Sequence, residues 1–181
     1  MPSRQAVKHY GKIAMALHWV MAVIIIGLLV AGESLIGGHG ASWKATLHTS
    51  LGFLVLGLVI FRLFWRFINP PPQPLAGTPK WQVLAARFSH VLFYVLMIII
   101  PLAGWMAFTE HVKRSFGVAP ANFFWLTKIP LLPDFGINFH FIHNWAGKAA
   151  IALIALHVLA ALKHHFYDKD NTLKRMLPWG K

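Results

Sequence analysis

Four histidines, His18, His48, His143 and His157, sit inside or at the edge of long apolar runs. Imidazole in hydrocarbon is costly unless it is bonded to something. It can hydrogen-bond a neighbouring helix, or it can ligate a metal through a neutral ring nitrogen. The rest of the composition narrows the second option. The chain has 181 residues, of which 11 are histidine and none is cysteine. Disulfides, thiolate-bound zinc, iron–sulfur clusters and covalently attached c-type haem are therefore excluded. No Asp or Glu lies within the apolar runs, so a carboxylate-bound zinc or di-iron site has no ligands there. Haem iron of the b type remains. It takes imidazole nitrogen on both faces, and the porphyrin suits an apolar surround.

Such side chains need elements that hold them inside a membrane. Hydrophobic residues make up 57% of the chain and charged residues 12%, too apolar a balance for an ordinary soluble domain. About 20 apolar residues cross a bilayer. Four segments qualify, at about 13–32, 45–64, 88–109 and 138–166. Unpaired backbone groups are not tolerated in lipid, so these are helices. Arg4, Lys8 and Lys12 before the first run resemble a secretory signal, but the uncharged stretch 13–32 is too long for one, and a retained helix is expected. Pro101 is expected to kink the third helix. Lys148 in the fourth is close enough to the helix end to snorkel. Residues 33–44 form a short Gly-rich connection, 69–79 a stiff Pro-rich linker (NPPPQPLAGTP), and 110–137 a long loop expected to cap the bundle at the membrane surface. The expected fold is an all-α membrane protein, a four-transmembrane-helix bundle in one domain over residues 1–181.

Charge sets orientation. Of the 17 Lys and Arg, 12 fall on the side of the two termini and the second connection, and 5 on the other. By the positive-inside rule both termini are cytoplasmic, with the protein in a bacterial inner membrane. The bases flank apolar segments, which is a membrane distribution, and nucleic acid is not an expected partner.

Orientation then gives each histidine a depth. His18 lies five residues past the inner start of the first helix, and His157 five residues before Leu162, where the fourth leaves the inner leaflet. His48 and His143 lie near the outer ends of the second and fourth. His143 and His157 are 14 residues apart, roughly 21 Å along the axis and within roughly 40° of one face. One helix thus presents two imidazoles, one per leaflet, and each finds a counterpart on another helix. The pattern fits two stacked haems b, with ring edges close enough for electron tunnelling. Two histidines per iron leave no open position, so the haems carry electrons and do not bind oxygen.

Other residues have two readings each. Gly52 and Gly147 follow His48 and His143 by four residues, where a flat ring needs close approach, although glycine is common in membrane helices. Arg62 and Arg66 either pair with propionates of the inner haem or serve as inner-side anchors. His90 either replaces His18 on the inner iron, contacts a propionate, or helps a quinone headgroup exchange protons; matched depth favours His18 as the ligand. His9, His39, His111, His140, His164 and His165 are expected at the interface or in solvent.

Three stretches carry a family resemblance: ALHW in the first helix, LHTSLG with FRLFWR-x-x-NPPP around the second, and HHF-x-x-KDNTL-x-RM-x-P after the fourth. Along nearly its whole length the chain resembles the bacterial cytochrome b561 family. The resemblance implies a four-helix inner-membrane protein with two haems b, His18 and His157 on the cytoplasmic-side haem and His48 and His143 on the periplasmic-side haem. It also implies exchange of electrons with the quinone pool and, from a close relative, oxidation of superoxide at the periplasmic face with reduction of ubiquinone. Lys44, Lys113, Arg114, Lys128 and Lys148 against Glu33, Glu110 and Asp134 give that face a small positive excess, which favours an anion such as superoxide. The expected activity is a superoxide:ubiquinone oxidoreductase. The alternatives are an electron-transfer subunit or anchor serving a small periplasmic donor, and a haem- or quinone-binding structural protein. Two places suit the quinone: His90 with Tyr94 and Arg87 at the inner side, or the outer side near Trp145.

Overall fold

The computed structural model describes residues 9–36, 42–114, 122–133, 135–177 and 179. Four long helices dominate: α1 (Lys12–Ile36), α2 (Ser42–Ile68), α3 (Lys80–Arg114) and α4 (Phe139–Phe166). Each is long and apolar enough to cross a membrane. Short strands β1 (Asn122–Phe123) and β2 (Thr127–Lys128) lie between α3 and α4, and a 3₁₀ turn, Lys174–Met176, follows α4.

The helices run past the apolar windows that the sequence marks. α3 has 35 residues and starts at Lys80, eight positions before the expected boundary. Pro79 sets that start: its carbonyl accepts from Gln82 and Val83 N–H at 3.0 and 3.2 Å. The extra turns carry Lys80, Gln82 and Arg87, which hydropathy leaves out but helix geometry does not. Likewise α1 continues to Ile36 and α2 begins at Ser42, so the first connection is shorter than 33–44. α2 stops before Asn69 and the proline run, where the backbone N–H donors are missing. α3 continues through Pro101, which therefore does not end it. α4 opens at the N-cap Asn138, whose side chain accepts from Phe141 N–H at 3.0 Å. It closes with Lys163, His164 and His165 in its last turn, the favourable sign for a helix C-terminus.

Around the bundle α1 packs on α2, α2 on α3, and α3 on α4, while α1 and α4 do not pack closely on each other. Few side chains fill the middle. Among the described residues the buried apolar ones in the helices are Met15, Met21, Val55, Val59, Leu96, Ala103 and Ala150. Large apolar side chains such as Val23, Val30, Leu84, Leu156 and Leu159 are exposed, as lipid-facing residues must be. The centre is a cavity of about 2350 Å³ lined from all four helices.

Each end of the bundle is closed differently. At one end β1 and β2 pair antiparallel, Asn122 opposite Lys128 and Phe123 opposite Thr127. Phe124 and Trp125 make the tip with φ of 44° and 62°. Fully buried Ser50 of α2 anchors this hairpin: its hydroxyl accepts from Phe124 N–H at 2.7 Å and lies 2.6 Å from the Thr46 carbonyl. Trp105 Nε1–H donates to the Pro130 carbonyl at 2.9 Å, and its ring meets Phe53 edge-on. The expected long surface loop is thus, over its described residues, a small hairpin tied to α2 and α3. At the other end the C-terminal segment folds back. Trp19 Nε1–H donates to the Met176 carbonyl at 2.9 Å, Tyr10 N–H to Arg175 at 3.3 Å, and Arg175 Nη1–H to the Gln73 carbonyl at 2.9 Å. The start of α1, the proline linker and the tail are knitted into one floor.

Candidate cofactor site

The histidines meet across the cavity as two groups. Near the hairpin end, His48 of α2 faces His143 of α4 with ring centroids 6.1 Å apart and planes at 70°. Near the terminal end, His18 of α1 faces His157 of α4 at 6.3 Å and 69°. Two metal–imidazole bonds of about 2 Å plus two ring half-widths of about 1 Å put the centroids of a bis-imidazole iron roughly 6 Å apart. Both pairs have that separation, and all four rings are half-buried and line the cavity.

Hydrogen bonding gives a second test of fit. His143 Nδ1 lies 2.8 Å from the Ile100 carbonyl, which can only accept, so Nδ1 carries the proton and Nε2 is the free ligand atom. His48 Nδ1 is buried with no partner among the described residues. Imidazoles with nitrogens left over, facing one another across an apolar space, fit a metal between them better than a hydrogen-bonded core. The cavity exceeds the usual small-molecule pocket of about 300–1,000 Å³ more than twofold. The donor set is nitrogen only, which suits haem iron.

The terminal-end group is larger than a pair. His90 of α3 lies 6.2 Å from His157, as close as His18 does, and Phe93 packs edge-on against His157 at 5.3 Å. Arg62 Nη2 reaches to 3.5 Å from His18 Nδ1, at the limit of a hydrogen bond. Arg66 lies over the Tyr94 ring at 5.9 Å. The residues singled out from sequence therefore assemble as His18, His90, His157, Arg62 and Arg66 at one level and His48 with His143 at the other. Arg62 and Arg66 both line the cavity, which suits partners for carboxylates there.

The glycines near the histidines are of two kinds. A Cβ on Gly52 would meet nothing within 4 Å, and one on Gly147 only Leu29 at 4.0 Å. Both line the cavity and leave room for a flat ring. The tight position is one that sequence reading missed, Gly104 of α3, where a Cβ would lie 2.9 Å from the His143 ring. Ile100 was missed with it. The signal available was a glycine one turn from the Pro101 region of a helix with no ligand of its own. His111, His140, Asn144 and Lys148 line the cavity toward the hairpin, with Asn144 Nδ2 3.3 Å from His140 Nδ1. His39 and Asp134 lie outside the described residues.

At the C-terminal end of α4, His164, Asp168 and Asp170 bring ligand atoms within 4.8 Å of one another. Their bonds are already made. Lys163 and His164 reach Asp168 at 2.6 and 3.1 Å, and His164 Nδ1 reaches Asp170 at 2.8 Å. Partial burial pushes the Asp170 carboxyl up, but bonds from the Thr172 side chain and N–H and from His164 together hold it below the usual carboxylate range. This group fastens the tail to α4.

Fold and site together define a class: a four-helix membrane protein with paired imidazoles around an apolar cavity sized for planar cofactors. The family model described as "Prokaryotic cytochrome b561" matches residues 9–179, and the chain belongs to that family of membrane electron-transfer proteins, for which haem b is implied. It is 36% identical over 178 residues to "Cytochrome b561 homolog 2" of Escherichia coli K12, covering 94% of this chain and 92% of that one. It is 30% identical to "Cytochrome b561 homolog 1" of the same organism, covering 95% and 98%. It is 28% identical to "Probable superoxide oxidase CybB" of Yersinia pestis, covering 94% and 97%. The chain is thus a multi-pass protein of a bacterial inner membrane.

Proposed function

We propose that this protein is a di-haem b oxidoreductase passing electrons between the periplasmic face and the quinone pool, acting as a superoxide:ubiquinone oxidoreductase. One observation carries the reading: two imidazole pairs, with ring centroids 6.3 and 6.1 Å apart, sit at two levels of one cavity. In it His48 and His143 hold the haem nearer the periplasm, His18 and His157 the haem nearer the cytoplasm, and both termini are cytoplasmic. Bound haem supplies one-electron carriage across the bilayer. The protein supplies the rest. Lys113, Lys128 and Lys148 place positive charge at the hairpin end, which raises the encounter rate of a small anion. Arg62 and Arg66 neutralise propionates at the inner level. Two superoxide anions give up one electron each and leave as dioxygen; the two electrons, with two protons from water, convert ubiquinone to ubiquinol. For the quinone headgroup the corner of Arg87, His90 and Tyr94 is favoured, because all three line the cavity while Trp145 does not.

The relatives at 36% and 30% identity carry no substrate in their names, and the superoxide name comes at 28%. That supports a second reading, an electron-transfer subunit or anchor serving a periplasmic redox partner. The purified protein separates the two. Its reduced-minus-oxidised spectrum is expected to show two b haems per chain, reduced by a pulse of superoxide and reoxidised by added ubiquinone. Two haems inert to superoxide would leave the subunit reading. Absence of haem would refute both.

A further inference from the structure

Of the four paired imidazoles, that of His143 is the most closely held. Its Nδ1 lies 2.8 Å from the Ile100 carbonyl on α3. One turn along the same helix, Gly104 turns a bare α-carbon to the ring. A Cβ there would lie 2.9 Å from both Cε1 and Nδ1 of His143, well inside the usual non-bonded separation of about 3.5–4.0 Å. No other described glycine is approached so closely: Gly32 and Gly147 would make contacts of 4.0 Å, and Gly27 and Gly57 would make none. Backbone conformation does not call for glycine at 104, because the residue is helical with ordinary φ. In a helix interior alanine is the better residue. The glycine is there for the ring.

We propose that Gly104 is a positioning residue for His143. The Ile100 carbonyl and the bare Gly104 α-carbon form a cradle on α3. It fixes the rotation of the imidazole, keeps the proton on Nδ1 and leaves Nε2 as the atom offered to iron. The ring cannot swing clear of a methyl at 104 without leaving the carbonyl, since the same Nδ1 makes both contacts. A hydrogen bond from the distal N–H makes a ligating imidazole the stronger donor and favours the oxidised metal. Loosening that bond therefore raises the midpoint potential of the His48/His143 haem alone. His48 Nδ1 has no such bond among the described residues, so the effect belongs to one side of one haem.

The inference rests on His143 being a haem ligand, and the test keeps the two apart. Gly104→Ala is made in the full chain, loaded with haem, and read by electron paramagnetic resonance and redox titration of each haem. One low-spin signal is expected to shift and one midpoint to rise, with two haems retained and the other signal unchanged. Gly27→Ala and Gly57→Ala, made in the same way, should leave both haems as they were. Unchanged signals and midpoints in Gly104→Ala would overturn the proposal, as would equal shifts of both haems. Should Gly104→Ala fail to assemble, His143→Gly supplied with free imidazole gives a second route. Adding Gly104→Ala to it should weaken imidazole binding by about tenfold, the scale of an overpacked contact; equal affinity would overturn the cradle. Full haem content and an unaltered spectrum in His143→Ala would instead remove the ligand assignment itself.

Discussion

His157 belongs to a cluster, whereas His143 belongs to a pair. Near His157 stand His18 and His90 at 6.3 and 6.2 Å, with Arg62 and Arg66 at the same level. Among the described residues, only His48 stands near His143 at comparable distance. Replacement of single histidines should therefore have unequal consequences. On the proposed reading, His143→Ala or His48→Ala is expected to cut the haem-to-protein ratio from two to one, because no other described histidine ring lies at comparable distance. On the same reading, His18→Ala leaves His90 as close to His157 as His18 was, so a partial haem with altered low-spin signals is expected there. Pyridine haemochrome analysis of the purified variants checks both. Depth along each helix was readable from sequence, and the four histidines it matched face one another in pairs. The level shared by His18, His90, Arg62 and Arg66 was legible as well; which of them turns to His157 was not, because which face of α3 turns inward depends on packing that hydropathy alone does not record.

Helix ends and the hairpin tell a similar story one level up. Hydropathy found all four spans but stopped where the first polar residues appear, so α3 lost the turns from Lys80 to Arg87. Those turns carry Arg87, so the three residues grouped from sequence, Arg87, His90 and Tyr94, prove to share one continuous helix. The hairpin escaped entirely. Two strands of two residues leave no alternation to detect, and their hold comes from a side chain 72 or more positions away. Ser50→Ala tests that hold. It removes the acceptor for Phe124 N–H at a fully buried site, a loss of about 1–3 kcal/mol. Faster hydrogen exchange at Phe124 is expected, with the helical amides of α2 unchanged. Equal exchange in both proteins would mean the hairpin is held by Trp105 and Phe53 instead.

The molecule as a whole is tied together at the end where the start of α1 meets the segment after α4. The tail reaches α1 through Trp19 and the proline linker through Arg175, and is fastened to α4 by His164, Lys163, Asp168 and Asp170. The family stretch HHF-x-x-KDNTL-x-RM was legible as a motif, and its mechanical purpose was not. That appears only once Thr172 and His164 are seen bonding Asp170. Since those bonds hold the Asp170 carboxyl below its ordinary value, the unfastened tail binds a proton more readily than the fastened one. Fastening is therefore fully present above the usual carboxylate range of about 4, and is lost as pH falls through the depressed value. Limited proteolysis after Lys174 and Arg175 is expected to be slow and even from pH 8 to pH 5 and to accelerate in Asp170→Asn at every pH in that range. Equal rates in the two proteins would show that the latch does not secure the tail.

The cavity of about 2350 Å³ has a consequence for supply. A bundle that leaves its centre to cofactors has few side chains of its own to hold the helices together once those cofactors are missing. On the proposed reading, a guest that binds only the folded chain stabilises it by mass action. The amount of intact protein in a membrane then follows the porphyrin and iron available to the cell, and scarcity removes the carrier itself before it slows any electron.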